Sequence, residues 1–201
     1  MIKIAVTGGI ACGKSLFGEL LAKNDKVEIF DADNIVREMH EPNMQGAKLI
    51  AATFGNEYLL PNGATNKTAL AELVFNDANA REKLNSLFHP IVRQELVTKQ
   101  NLNPSKPIKV ALIPLLFESE WEGDWDLTVC VTASDDEQLK RLLTRGHTLE
   151  HAKQRIASQM PNAEKEARAD IIIRNDGSIE QLKEAAGALL RYVMEKNNYD
   201  R

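Results

Sequence analysis

Residues 8–15 read Gly-Gly-Ile-Ala-Cys-Gly-Lys-Ser and constrain the fold of this chain more than any other segment. They match the G-x-x-x-x-G-K-[ST] pattern of a phosphate-binding loop and follow the apolar run Ile-Lys-Ile-Ala-Val-Thr at 2–7. Gly8 and Gly13 let the backbone turn tightly, so that successive N–H groups converge on phosphate oxygens. A helix opening near Lys14 adds the positive end of its dipole. The expected nucleoside-triphosphate contacts are therefore Gly8, Gly9, Ile10, Ala11, Cys12, Gly13, Lys14, Ser15 and Leu16. Lys14 reaches the β- and γ-phosphates, and Ser15 holds Mg²⁺.

Strand and helix patterns alternate along the chain, which argues for a parallel sheet flanked by helices. After the first strand and helix, 27–30 reads as a second strand running into Asp31-Ala32-Asp33. Residues 34–101 are almost wholly helical, too long for a simple crossover, and read as an inserted substrate subdomain. Within them Asn62-Gly63 marks a turn, Asp77 is a helix N-cap, and Pro90 is expected to bend or break its helix. The linker Asn103-Pro104-Ser105-Lys106-Pro107 leads back to strands at 108–113, 127–132 and 171–173. Ser134 with Glu137, Thr148, and Ser178 with Gln181 read as the caps of three later helices, the second of which Pro161 ends. No repeat or low-complexity segment interrupts the pattern.

Composition narrows the function classes. The net charge of −4 argues against nucleic acid or an anionic membrane as a partner. No apolar run approaches the roughly 20 residues that span a bilayer. From Met1 the sequence enters a strand pattern with neither a basic nor a long apolar leader, and the two cysteines, Cys12 and Cys130, make no disulfide framework. A reducing, cytoplasmic setting is expected.

Phosphoryl transfer needs a phosphate cradle, a metal, a group orienting the nucleophile, and positive charge on the moving phosphoryl. Asp31 and Asp33 fall at the carboxyl end of the second strand, the edge where open α/β sheets bind ligands. Asp33 either accepts a proton from a substrate hydroxyl or caps the next helix, and Asp31 faces the metal or its waters. The acid that commonly ends a neighbouring strand and reaches Mg²⁺ through water is missing from Ala111-Leu112-Ile113-Pro114; Glu118 is the nearest. Residues 140–155 carry Lys140, Arg141, Arg145, Lys153 and Arg155 against Glu150 alone. With Arg141 and Arg145 on one helix face, this segment is either a phosphate clamp or a solvated face. His89, just before Pro90, with Arg93 one turn on, either orients a substrate group or satisfies a helix end.

Together these residues resemble dephospho-CoA kinase. The resemblance rests on Thr7-Gly8-Gly9-Ile10 with Gly13-Lys14-Ser15, Asp31-Ala32-Asp33, Phe54-Gly55, His89-Pro90-Ile91, Pro114-Leu115-Leu116-Phe117-Glu118, Gln159-Met160-Pro161, and Ala169-Asp170 with Asn175 and Gly177, in order along nearly the whole chain. It implies a P-loop NTPase-like five-stranded parallel sheet flanked by helices, with a core of 1–33, 107–133 and 163–201. A helical CoA-substrate subdomain would occupy 34–106 and a mobile lid 134–162. It implies transfer of phosphate from ATP, with Mg²⁺, to the ribose 3′-hydroxyl of dephospho-CoA. It casts Asp33 as base, Lys14 and Ser15 as ATP–Mg²⁺ contacts, Arg141 as a lid phosphate contact, His89 and Arg93 on the dephospho-CoA side, and Asn175 near the adenine. Dephospho-CoA and ATP are the expected partners of a monomer or weak homo-oligomer. A switch GTPase is disfavoured, because Asn66-Lys67-Thr68 is followed by Ala69 rather than continuing as Asn-Lys-x-Asp.

The chain departs from the family pattern at three positions. Ala11 and Cys12 stand where glycine and serine are usual, an exchange expected to be tolerated if Ala11 needs no positive φ. Cys12, beside a helix N-terminus, is expected to have a lowered pKa and to be oxidisable. Gly146 replaces the acid that usually follows the lid arginine.

Overall fold

Continuous apolar stretches, rather than alternating ones, make the strands, because helices cover both faces of a parallel sheet. The structure, a computed structural model, describes residues 1–197; the last four residues of the expected 163–201 core segment lie outside the described residues. Five strands, β1 (Ile2–Thr7), β2 (Val27–Asp31), β3 (Ile108–Leu112), β4 (Leu127–Thr132) and β5 (Ile171–Arg174), form one sheet in the order β2-β3-β1-β4-β5. Central β1 pairs in parallel with β3, Ile2 opposite Ile108, and with β4, Ile4 opposite Leu127. This order sends the segment after β1 out of the middle of the sheet.

Against the sheet pack α1 (Lys14–Leu21) and α9 (Ile179–Asn197). Phe17 and Leu21 from α1 and Leu182, Leu189 and Val193 from α9 join Ile4, Val6, Val110, Val129 and Val131 in one core. Each such side chain contributes about 1.5–3 kcal/mol by leaving water. The capping box of α9 is reciprocal: Gln181 N–H donates to Ser178 Oγ at 3.2 Å and Ser178 N–H to Gln181 Oε1 at 2.9 Å. After β4 come α6 (Asp135–Thr144), α7 (Leu149–Ala157) and α8 (Asn162–Arg168). Gly146, at φ +87°, takes the left-handed turn that ends α6, which accounts for glycine where an acid is usual. The sequence pattern did not foreshadow α8; Pro161 both closes the preceding segment and stands at the N-cap of this helix.

The chain divides into two compact units: residues 1–30 with 103 onward, and 31–102. The helical unit thus takes in Asp31-Ala32-Asp33 and leaves the 103–107 linker with the sheet, a shift from 34–106. It contains α2 (Ala32–Met39), α3 (Gln45–Phe54), α4 (Lys67–Asn76) and α5 (Ala78–Gln100), with Ile35, Ile50, Leu70, Phe88, Val92 and Leu96 buried. Asp77 caps α5 through the amides of Asn79 and Ala80. Asn66, the first residue of the incomplete guanine motif, caps α4. Of the bend or break expected at Pro90, the break does not occur: α5 is one helix through it. Proline removes one hydrogen bond there, while Phe88, Val92 and Leu96 bury the same helix on both sides of the defect. Among the described residues no helix is long and apolar enough to cross a membrane.

Candidate active site

The phosphate loop joins β1 to α1, and its backbone is set from outside by side chains. At Gly8, φ is +150° and a Cβ would lie 2.0 Å from Val131 O. At Gly13, φ is +99° and a Cβ would meet Asn175 Nδ2 at 2.1 Å. No other residue type fits either place.

Three consecutive loop carbonyls are held by donors. Ile10 O accepts from Gln138 Nε2 at 2.6 Å, Ala11 O from Arg141 Nη1 at 3.1 Å, and Cys12 O from Asn175 Nδ2 at 2.8 Å. The amide of Ile10 donates to Gln159 Oε1 at 2.7 Å. With Phe17 N–H bonded to Gly13 O, the first-turn amides of Ser15 and Leu16 meet no helical carbonyl. Those are the donors an anion uses at a helix start.

One condition set for the loop is not met, and one expectation is overturned. Ala11 does adopt a positive φ, +59°, so the exchange for glycine is not conformationally silent. Its methyl group is compensated by packing, for it sits with Leu142 of α6 and Ala152 of α7. Cys12 is fully buried, and burial pushes its thiol up rather than down, overcoming hydrogen bonds from its surroundings and the nearby Arg141 charge. Its Sγ points at Asn162 Oδ1, 3.8 Å away. A buried, protonated thiol is inert, so the expected oxidation site is withdrawn.

Arg141 lies against the loop, its Nη2 also donating to Asn175 O at 2.6 Å and its Nε 3.5 Å from Glu137. Asn175, at the end of β5, is thus bound on both its side chain and its carbonyl. Glu118 is not an open acid: both its oxygens, at 2.7 and 2.9 Å, hold the ammonium of Lys165.

In the helical unit, Asp31 is the N-cap of α2, its Oδ1 accepting the Asp33 amide at 2.8 Å. The capping reading therefore attaches to Asp31, and Asp33 stands exposed in the first turn of α2. His89 is half-buried on α5, and burial lowers its pKa below 6.5, which favours the neutral imidazole at pH 7. Arg93 is exposed one turn further along the same face.

The family model for dephospho-CoA kinase matches residues 2–181. The chain belongs to the dephospho-CoA kinase family. The dephospho-CoA kinase of Lactiplantibacillus plantarum is 41% identical over 94% of this chain and 97% of that relative. A solved structure from Thermus thermophilus superposes with a TM-score of 0.82 at 32% identity, covering 95% of this chain and 97% of the other. The dephospho-CoA kinase of Campylobacter jejuni gives 0.71 at 26%, covering 97% and 98%.

The sequence singled out Arg141 and Asn175, though not as the holders of loop carbonyls, and missed the other residues that support the loop of this kinase. Gln138 left one signal: it shares the inward stripe of α6 with Leu142, a polar residue where an apolar one belongs. Gln159 stood in the family motif without a role. Lys165, fully buried, and Asn162, which donates to Ala133 O and Gln138 Oε1, gave none.

Proposed function

We infer that this kinase transfers the γ-phosphoryl group of ATP to the ribose 3′-hydroxyl of dephospho-CoA, yielding coenzyme A and ADP, the last step of coenzyme A synthesis. The observation that carries this reading is the family match across residues 2–181, on a chain whose phosphate loop is complete. In the transfer, the 3′-oxygen attacks the γ-phosphorus, the bond to the β–γ bridging oxygen breaks, and the hydroxyl proton passes to Asp33. Support for Asp33 is its place in the exposed first turn of α2, while Asp31 does the capping. Lys14 and the loop amides carry the triphosphate, and Arg141 adds charge beside Ala11. His89 and Arg93 bind the dephospho-CoA side.

Mg²⁺ fits the donors present. It takes hard oxygens and retains waters and substrate phosphates, so one hydroxyl, that of Ser15 at the start of α1, is enough protein ligation. When bound it neutralises charge building on the phosphates. Asp31, with one oxygen engaged in its cap, has the other to offer a metal-bound water. The α6–α7 hairpin serves as the lid.

The test is ADP release from Mg²⁺–ATP with and without dephospho-CoA, with shikimate and nucleosides as controls and the product weighed by mass spectrometry. Release that depends on dephospho-CoA and yields a product of coenzyme A mass supports the reading; indifference to dephospho-CoA overturns it. Asp33→Asn should leave ATP affinity nearly intact and lower turnover about 10²–10⁴-fold. Unchanged turnover would remove Asp33 from the chemistry.

A further inference from the structure

Lys165 is fully buried, yet no apolar role explains it. Its ammonium donates to Pro114 O at 2.8 Å and to both carboxylate oxygens of Glu118. Burying such a pair removes two charges from water, and an apolar pair of equal volume is often as stable or more so. What an apolar pair does not supply is direction. From Lys165 two short paths lead to the phosphate loop. Along the first, Glu118 Oε1 also accepts the amide of Met160 at 3.2 Å, and the neighbouring Gln159 accepts the amide of Ile10. Along the second, Pro114 O also accepts from Thr7 Oγ1 at 3.3 Å, and Thr7 is the residue immediately before Gly8. One cation thus anchors the entry to the loop and the acceptor that sets the peptide plane of Ile10.

We propose that Lys165, paired with Glu118, is a positioning residue for nucleotide binding and phosphoryl transfer, acting through Met160 and Gln159 on Ile10 of the phosphate loop. The proposal rests on the kinase reading above for its effect on turnover, but its effect on nucleotide affinity does not need an acceptor. Ile10 and Ala11 precede the turn at Gly13, and rotation of the Gly9–Ile10 peptide would redirect the donors beyond it. Loss of the Gln159 hold should weaken Mg²⁺–ATP about tenfold, the worth of one neutral hydrogen bond.

The experiment is a double-mutant cycle on the full chain, read by Mg²⁺–ATP titration calorimetry, by the KM for each substrate and kcat, and by melting temperature. One arm is Gln159→Leu, and the other is Lys165→Met with Glu118→Leu, which replaces the ion pair by apolar volume. Each arm should raise the Kd and KM for ATP about tenfold and leave the acceptor KM in place. The combination should do no more than the ion-pair arm alone, because Gln159 lies on a path that this arm already cuts. A role in stability alone would lower the melting temperature and leave the KM for ATP unchanged, and that overturns the proposal. Multiplicative effects in the combination overturn it as well. Should the apolar pair not fold, Lys165→Gln with Glu118→Ala, which removes the acceptor of the Met160 amide and leaves no buried charge, closes the same cycle against Gln159→Leu. Failure of dephospho-CoA to stimulate turnover would show in the wild type and leave the calorimetric cycle readable.

Discussion

Replacing Ala11 by glycine should leave stability nearly unchanged, whereas the same change at Ala152, which packs against it, should not. Ala11 sits at φ +59°, where an alanine is held at a cost of about 1–2 kcal/mol that glycine escapes. Opposing this, its methyl group is buried with Leu142 and Ala152. Removing that methyl and loosening the unfolded chain together cost about 1.2–1.8 kcal/mol. The two sides cancel to within about 1 kcal/mol. Ala152 is also buried but lies inside α7, so Ala152→Gly loses a methyl and helix propensity with no strain to relieve, about 2 kcal/mol. The signature of loop strain is thus a gap of about 1–2 kcal/mol between two variants of one small cluster. Urea denaturation of both variants without nucleotide measures it, provided their m-values agree. If Ala11→Gly destabilises as much as Ala152→Gly, the left-handed alanine stores no strain and the reasoning fails.

Two further outcomes follow from buried groups and from Pro90. Burial raises the Cys130 thiol from 9.0 to about 12, so the folded state keeps a proton that the unfolded chain loses. That stabilising contribution is intact below pH 9 and is lost between pH 9 and 12, by about 1.4 kcal/mol per pH unit; Cys130→Ala should flatten the alkaline stability profile by that slope, and parallel profiles would refute it. Pro90 is exposed within an unbroken α5, so Pro90→Ala should restore a helical hydrogen bond and raise unfolding free energy by about 2 kcal/mol in chemical denaturation; a fall would show that the helix is adapted to its proline.

Local chemistry was legible in the sequence because it acts over three or four residues. The caps at Asp77, Thr148 and Ser178 and the glycines of the phosphate loop announce themselves in this way. What depends on distant partners was not. Cys12 illustrates the difference: its place by a helix start argued for a lowered pKa, but the residues that bury it lie more than a hundred positions away, and burial decides the sign. The capping role falls to Asp31 rather than Asp33 because the helix begins at Ala32, two residues earlier than a cap at Asp33 implies. Lys165 and Glu118 lie 47 residues apart, so neither could be read as the partner of the other until the chain was folded.

The four side chains that grip residues 10–12 also bear on the entropy of nucleotide capture. A free glycine-rich loop would have to be frozen at the moment of binding, at about 1–2 kcal/mol for each residue fixed. Over these three residues that would weaken affinity by roughly two to four powers of ten. Gln138, Arg141, Asn175 and Gln159 do the freezing during folding instead. The nucleotide therefore meets a rigid mould, and its binding energy remains available for drawing the reacting groups together.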